Sequence, residues 1–320
     1  MKQLGLSIPL FIKRPKVTRR QKFLEEMEQV IPWAEWTNRI APHYPVAGLG
    51  RKPFELEAML RIHMMQQWFG YSDPGMEEAL HDVPMLREFA VLDAGEDVMP
   101  DETTILKFRH LLEKHHLAQS LFAETTAQLA QQGLLLRQGT IVDATLIAAP
   151  PSTKNRQRKR DGEMSSTKKG NNYYFGLKVH TGVDADSGLV HSLEITTAKV
   201  ADGNMIDALI HGEETIVLGD RAYTRNDRNL EAQRQSEEPV WGMPFKRKSG
   251  EKLPAEHAVL NRMLASLRAK VEHPFRIVKR QFGYTKVRYR GLLKNAQQLY
   301  LLFALANLYH VRKVWMPTAG

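Results

Sequence analysis

The hydrophobic pattern of this 320-residue chain changes period once, near Gly133, and that change limits the folds open to it. Before it, apolar residues recur at helical spacing. Leu56, Met59, Leu60 and Trp68 line one face of a helix predicted over 55–69, which the Ser72-Asp73-Pro74-Gly75 cluster ends. A second helix is predicted over 76–91, interrupted near Pro84. A third starts at Pro100-Asp101-Glu102-Thr103-Thr104, with Asp101 or Thr103 as N-cap and Ile105, Phe108, Leu111 and Leu112 on its apolar face. A fourth runs over 117–131 and stops at Gly133.

After Gly133 the chain reads mainly as strands. Residues 139–147 (GTIVDATLI) are β-rich, 173–183 alternate, 184–188 form a hairpin turn, and 189–197 return. There follow a short helix over 202–211, a buried strand at 215–219, a polar helix over 224–236, a strand at 240–245 and long helices over 256–282 and 294–312. The order β-β-β-α-β-α-β-α-α calls for an antiparallel meander and then alternating units, hence a mixed sheet with helices on its faces. That is the order of a ribonuclease-H-like fold. The expected architecture is α+β to α/β, with a helical N-terminal domain over 1–133 and a ribonuclease-H-like domain with C-terminal helices over 134–320.

Composition narrows the chemistry. Without cysteine there are no disulfides, thiolate zinc sites, iron–sulfur clusters or cysteine nucleophiles. The net charge of +9 is unevenly spread: runs at 13–22, 152–169 and 268–294 together carry +19, so the remainder carries −10. An acidic body with basic stripes suits a polyanion, and nucleic acid is the natural partner because Lys and Arg neutralise phosphates with release of counterions. The apolar stretch at 299–309 is about half the ~20 residues a membrane span needs. Leu4–Ile12 is broken by Ser7 and Pro9, so neither a membrane anchor nor a signal peptide is expected. No phosphate-binding P-loop or dinucleotide fingerprint is present, so no nucleotide is expected either.

Three carboxylates stand out. Asp143 lies inside the first strand, Asp220 closes a short buried strand 77 residues later, and Glu272 lies in a helix 52 residues further on. Each has a plain structural reading: an Asp that caps a strand end, or a Glu paired within a basic helix. Taken together, on this order of elements, they are hard oxygen ligands at strand ends, which suits Mg²⁺ or Mn²⁺. Arg268, Glu272 and Lys279 fall within about 40° of one another at 100° per residue, on one stripe if the helix survives Pro274. The stripe reads as a structural ion pair or as a metal ligand flanked by phosphate clamps.

Lys178 and His180 share one strand face and are candidates for the edge of such a site. Trp241 reads as core, with base stacking the sharper alternative. Thr103, Thr104, Lys107, Arg109 and His110 are candidate DNA-facing residues of a recognition helix, against the reading of a connecting helix. Arg19 and Arg20 belong to a basic arm suited to a minor groove or to phosphates.

The runs MLRIHMMQQW, PDETTILKFRHLLEKH, GTIVDATLI, TKKGN–YYFGLKVHTGVDADSGL and RAKVEHPFRIVKRQFG resemble a bacterial insertion-sequence DDE transposase of the insertion-sequence-five family, over nearly the whole chain. The resemblance implies that Asp143, Asp220 and Glu272 are the catalytic, metal-holding triad. It implies two Mg²⁺ ions, for which Mn²⁺ can substitute, and a helical DNA-binding and dimerisation domain at the N-terminus. Arg268 and Lys279 fall on the family's Y-x2-R-x3-E-x6-K signature, whose Tyr position holds Ala265 here. The implied partners are the terminal inverted repeats of the element, target DNA and a second copy of the chain, in a bacterial cytoplasm and on the nucleoid. The other readings are a catalytically idle, sequence-specific DNA-binding protein and a ribonuclease-H-type nuclease without strand transfer.

Overall fold

The computed structural model describes residues 16–48, 52–93, 95, 97–156, 158–223, 239–247, 250 and 252–315. The predicted polar helix at 224–236 lies outside them.

The N-terminal part is helical: α1 (Arg19–Val30), α2 (Trp33–Ile40), α3 (Leu56–Phe69), α4 (Asp73–Asp82), α5 (Pro84–Ala90), α6 (Glu102–Lys114) and α7 (Leu117–Gln131). The local signals act as expected. Pro84 splits the second predicted helix into α4 and α5. Asp101 caps α6, its carboxylate accepting from Thr104 N at 2.7 Å and from the Thr103 hydroxyl at 2.9 Å. Arg19 and Arg20 correct the expected basic arm, because both lie in the first turn of α1 under an N-cap from Thr18.

The sheet comprises β1 (Gly139–Ala148), β2 (Ser165–Lys169), β3 (Asn172–Asp184), β4 (Val190–Thr197), β5 (Ile216–Gly219) and β6 (Val240–Gly242). Strands run in the order β4-β3-β1-β5-β6, with β2 paired to the start of β3. β1, β3 and β4 are antiparallel neighbours, whereas β5 lies parallel to both β1 and β6. This is the mixed sheet of a ribonuclease-H-like domain. α8 (Ile206–Leu209) covers one face with Val142 and Tyr223, and Trp241 packs against that cluster. α9 (Ala255–Arg268), α10 (Glu272–Arg276) and α11 (Leu292–Trp315) follow.

The helical part and the sheet share one apolar core. It runs from Leu24, Ile62 and Phe108 through Ile141, Val179 and Leu218 to Phe303 and Leu308. α11 joins them: it is buried on nearly every side from Leu299 to Leu308. The Phe23 and Tyr309 rings meet at 5.9 Å, Arg312 pairs with Glu26 at 2.8 Å, and Gln298 donates to Gln67 at 2.8 Å. On the sheet side the Asn307 amide accepts from Val190 N at 2.9 Å and donates to Val190 O at 2.7 Å, so it completes the pairing of an edge strand. No helix among the described residues is long and apolar enough to cross a membrane.

Asn307→Ala strands a buried backbone N–H and C=O. It is expected to cost about 2–4 kcal/mol, measured by urea unfolding. The shared core also predicts one unfolding transition for wild type, seen alike by tryptophan fluorescence and circular dichroism; two separate transitions would show independent halves.

Candidate active site

The site begins with strand register. β1 and β5 pair in parallel through Thr140↔Val217 and Ile141↔Leu218 to Val142↔Gly219, where pairing ends. The next residue on each strand is a carboxylate, Asp143 on β1 and Asp220 on β5. Adjacent parallel strands ending in register bring those two positions side by side. The strands are tightly packed there: a Cβ on Gly219 would meet Val142 Cγ2 at 2.9 Å. Asp220 then accepts from Ala222 N at 2.8 Å and starts a turn away from the sheet. Beyond this point β1 has lost its β5 neighbour, and a cleft of about 440 Å³ opens, lined by Asp143, Thr145, Asp202, Asp220, Lys178 and Lys279 among others.

Glu272 comes from a helical segment far along the chain. The predicted single helix over 256–282 is segmented into α9, a 3₁₀ turn at Ala269–Val271, α10 and a π turn at Ile277–Gln281. Pro274 has no N–H to donate and would clash with the carbonyl four residues earlier, so the backbone tightens before it and widens after it. The segment is pinned to the fold by buried Val271 and Phe275 and by Lys270 Nζ, which donates to Ala185 O at 2.6 Å.

Burial, foremost, and then the charges of Asp220 and Glu272 push the Asp143 carboxyl up to about 6. The Ala144 N–H, at 2.8 Å from Asp143 Oδ1, and Arg268 act against the rise. The fold has thus gathered three carboxylates separated by 77 and 52 residues into one electrostatic neighbourhood. Among the described residues no three His, Asp or Glu side chains stand close enough to form a ready-made metal cage. The donor set nevertheless suits a hard divalent cation: all-oxygen ligands whose mutual repulsion a cation relieves.

Lysines line the cleft, and the Arg268 charge acts on Asp143. Lys279 Nζ donates to Thr145 Oγ1 at 2.6 Å and Leu146 O at 3.0 Å; burial pushes its ammonium pKa down, and Glu272 opposes that shift. Arg268 Nε is buried without a hydrogen-bond partner among the described residues. Lys178 donates to Asp202 at 2.9 Å. Register sets Lys178 and His180 opposite Leu146 and Ala144, hence on the sheet face away from Asp143, which sits opposite Thr181. Lys178 still lines the cleft. His180 is wholly buried, its Nε2 lies 2.8 Å from Thr196 Oγ1, and burial pushes it down to about 4. It does not present a cation to a ligand. The sequence reading missed Asp202, which follows no motif, and Tyr223, whose buried hydroxyl is held protonated by burial and by Asp202, Asp143 and Asp220.

The candidate recognition helix divides. Thr103, Lys107 and His110 are exposed, and Thr104 and Lys107 border a second, apolar hollow with Tyr44, Phe54 and Phe108. Arg109 is a correction. It is buried, paired with Asp73 at 3.0 Å and Glu113 at 2.8 Å, and stacked 4.2 Å from the Tyr289 ring. Its charge is consumed inside the protein because it has the partners a buried guanidinium requires. Arg20 is exposed but lies over the Phe69 ring at 4.9 Å, and Arg19 stands in solvent.

Two family models match the chain. One described as a transposase DDE domain covers residues 135–308, and one described as a transposase domain (DUF772) covers residues 13–111. No solved structure matches.

A raised carboxyl pKa means that the folded state binds its proton more tightly than the unfolded chain. The ionised group therefore costs stability above about pH 6, and the cost fades as pH falls toward the ordinary carboxylate value. Asp143→Asn is expected to raise the melting temperature of metal-free protein at pH 8 by roughly 2–4 °C, with the gain shrinking by pH 5. Thermal melts across that range, in EDTA, check it.

Proposed function

This chain belongs to the DDE transposases, and from that premise we propose that it binds the terminal inverted repeats of an insertion sequence of the insertion-sequence-five type and catalyses DNA cleavage and strand transfer. The observation that carries the reading is the meeting of Asp143 and Asp220 where β1 and β5 part, with the Glu272 charge acting on Asp143, in a cleft bordered by cations.

In this reading Asp143, Asp220 and Glu272 hold two divalent cations, Mg²⁺ or Mn²⁺. When bound, such ions stabilise the attacking and leaving oxygens of phosphoryl transfer. The protein's own part is positioning. Asp143 is fixed by the sheet and by the Ala144 N–H, and Asp220 by the turn it caps. Lys279, tethered to Thr145 and Leu146, and Arg268, whose buried Nε has no hydrogen-bond partner among the described residues, are suited to orient a phosphate beside the carboxylates. Thr103, Thr104, Lys107 and His110 are the N-terminal candidates for reading the repeats. Pairing of two transposon ends calls for a homodimer, working in the bacterial cytoplasm on nucleoid DNA.

The test uses DNA flanking the gene as substrate. Asp143→Ala, Asp220→Ala and Glu272→Ala are each expected to abolish cleavage and joining in Mg²⁺ or Mn²⁺ while leaving end binding within a few-fold in gel shifts. Ca²⁺ is expected to permit binding with little cleavage, since its longer bonds misplace the reacting oxygens. Sequence-specific binding without cleavage by wild type would identify an idle DNA-binding protein, and cleavage without joining a nuclease. Arg268→Ala and Lys279→Ala should lower cleavage while retaining divalent-cation binding by calorimetry. Loss of cation binding equal to that of Glu272→Ala would mark a structural ion pair instead.

A further inference from the structure

The β2–β3 hairpin forms one wall of the cleft. The β2–β3 hairpin pairs Ser165↔Gly176 through Lys169↔Asn172, whereas β1 leaves β3 at Ala148↔Gly176. The hairpin therefore extends past the end of the β1–β3 pairing. Its two-residue turn starts at Gly170, whose φ of +62° is the left-handed value such a turn needs at its first central position.

The hairpin carries aromatic rings into solvent, and among the described residues no other Phe, Tyr or Trp is exposed. Tyr173 is 76% exposed and Tyr174 39% exposed. Cations stand beside them. Lys168 Nζ lies 5.6 Å from the Tyr173 ring centroid, opposite it in the strand pairing. Arg160 lies over the Phe175 ring at 5.5 Å. Lys168, Lys169, Tyr174 and Phe175 all line the same cleft as Asp143 and Asp220.

Rings interleaved with cations match a strand of nucleic acid whose bases are free to stack and whose phosphates need neutralising. An intact duplex offers only the second of these, because its bases already stack on one another.

We propose that the β2–β3 hairpin is a single-strand platform: Tyr174, which lines the cleft, and Tyr173, on the opposite face of the same strand, stack on successive unpaired nucleotides that wrap the hairpin, and Lys168 and Lys169 hold their phosphates. The proposal rests on the reading of the cleft as the place where DNA strands are cut. It adds that strands are separated next to the cut and that this hairpin takes the freed bases.

The full-length protein is tested in EDTA by fluorescence anisotropy, so that nothing is cleaved. The probes are a blunt duplex of about 20 base pairs and the same duplex with a single-stranded tail of about five thymidines, within the span one such groove covers. Wild type is expected to bind the tailed probe at least fivefold more tightly. Tyr173→Ala/Tyr174→Ala should erase that preference and leave blunt-duplex affinity within about twofold, while Tyr173→Phe/Tyr174→Phe, which keeps the rings, should retain it. Lys168→Ala/Lys169→Ala should weaken tailed binding and flatten its salt dependence. No tail preference in wild type overturns the proposal, as does equal loss on both probes in the alanine pair. A change of oligomeric state with the tail preference intact would make the hairpin an interface between copies, and also overturns it. Metal-dependent cleavage is scored separately with Asp143→Ala. A protein that keeps its tail preference but never cleaves would refute the transposase reading and leave the platform standing.

Discussion

The burial of α11 is the constraint on which the rest of the molecule depends. From Leu299 to Leu308 every residue of this helix but the partly buried Tyr300 is buried, so neither the N-terminal helices nor the sheet can satisfy it alone. α7 and α1 cover one side and β4 the other. A helix apolar all round is stable only inside a core. The last long helix of the chain therefore holds its first helix and its sheet in one unit. Polar groups fix the register of that packing: Asn307 on Val190, Gln298 on Gln67, and Arg312 on Glu26. A misplaced turn of α11 would leave those groups unpaired in an apolar surrounding, at a cost of about 1–3 kcal/mol each.

The cleft follows from what this frame leaves unpaired. β5 accompanies β1 for four residues and then turns away, and the carboxylates occupy the positions where the ladder stops. A strand end that loses its neighbour is an economical place for polar side chains, because the sheet rigidly orients them while one flank opens to ligand. The fold accepts strain in return. Asp143 is partly buried beside two like charges, which raises its pKa and opposes folding at neutral pH. The Ala144 N–H and the Arg268 charge give partial relief.

Some of this was legible in the residues. Pro84, Gly133, the Asp101 cap and the 184–188 turn act locally, within a few residues, and each is where the pattern put it. Asp143, Asp220 and Glu272 stand out in the residues as candidates by their placement on a strand, at a strand end and in a basic helix. Other signals were present but misread. Phe23, Leu24, Met27 and Val30 have helical spacing, yet the neighbouring charges made Arg19 and Arg20 look like an arm. β2 hid in a basic, Ser-containing segment because its pairing partner, not its own apolar pattern, makes it a strand. Arg109 looked like a surface cation, and only Asp73, Glu113 and Tyr289, distant in sequence or on another turn, make burial tolerable.

The sequence by itself determined α3 to α7, the order of the strands other than β2 and the chemical types available for a site, because periodicity, caps and turns are short-range effects of each residue on its own backbone. Tertiary structure alone decided which of those residues meet. The juxtaposition of Asp143 and Asp220, the diversion of Arg109 and His180 into the interior, and the exposure of Tyr173 beside Lys168 each depend on strand register or helix docking between distant segments. Register and docking are set by burying the whole core at once, a collective term that no single stretch of sequence carries.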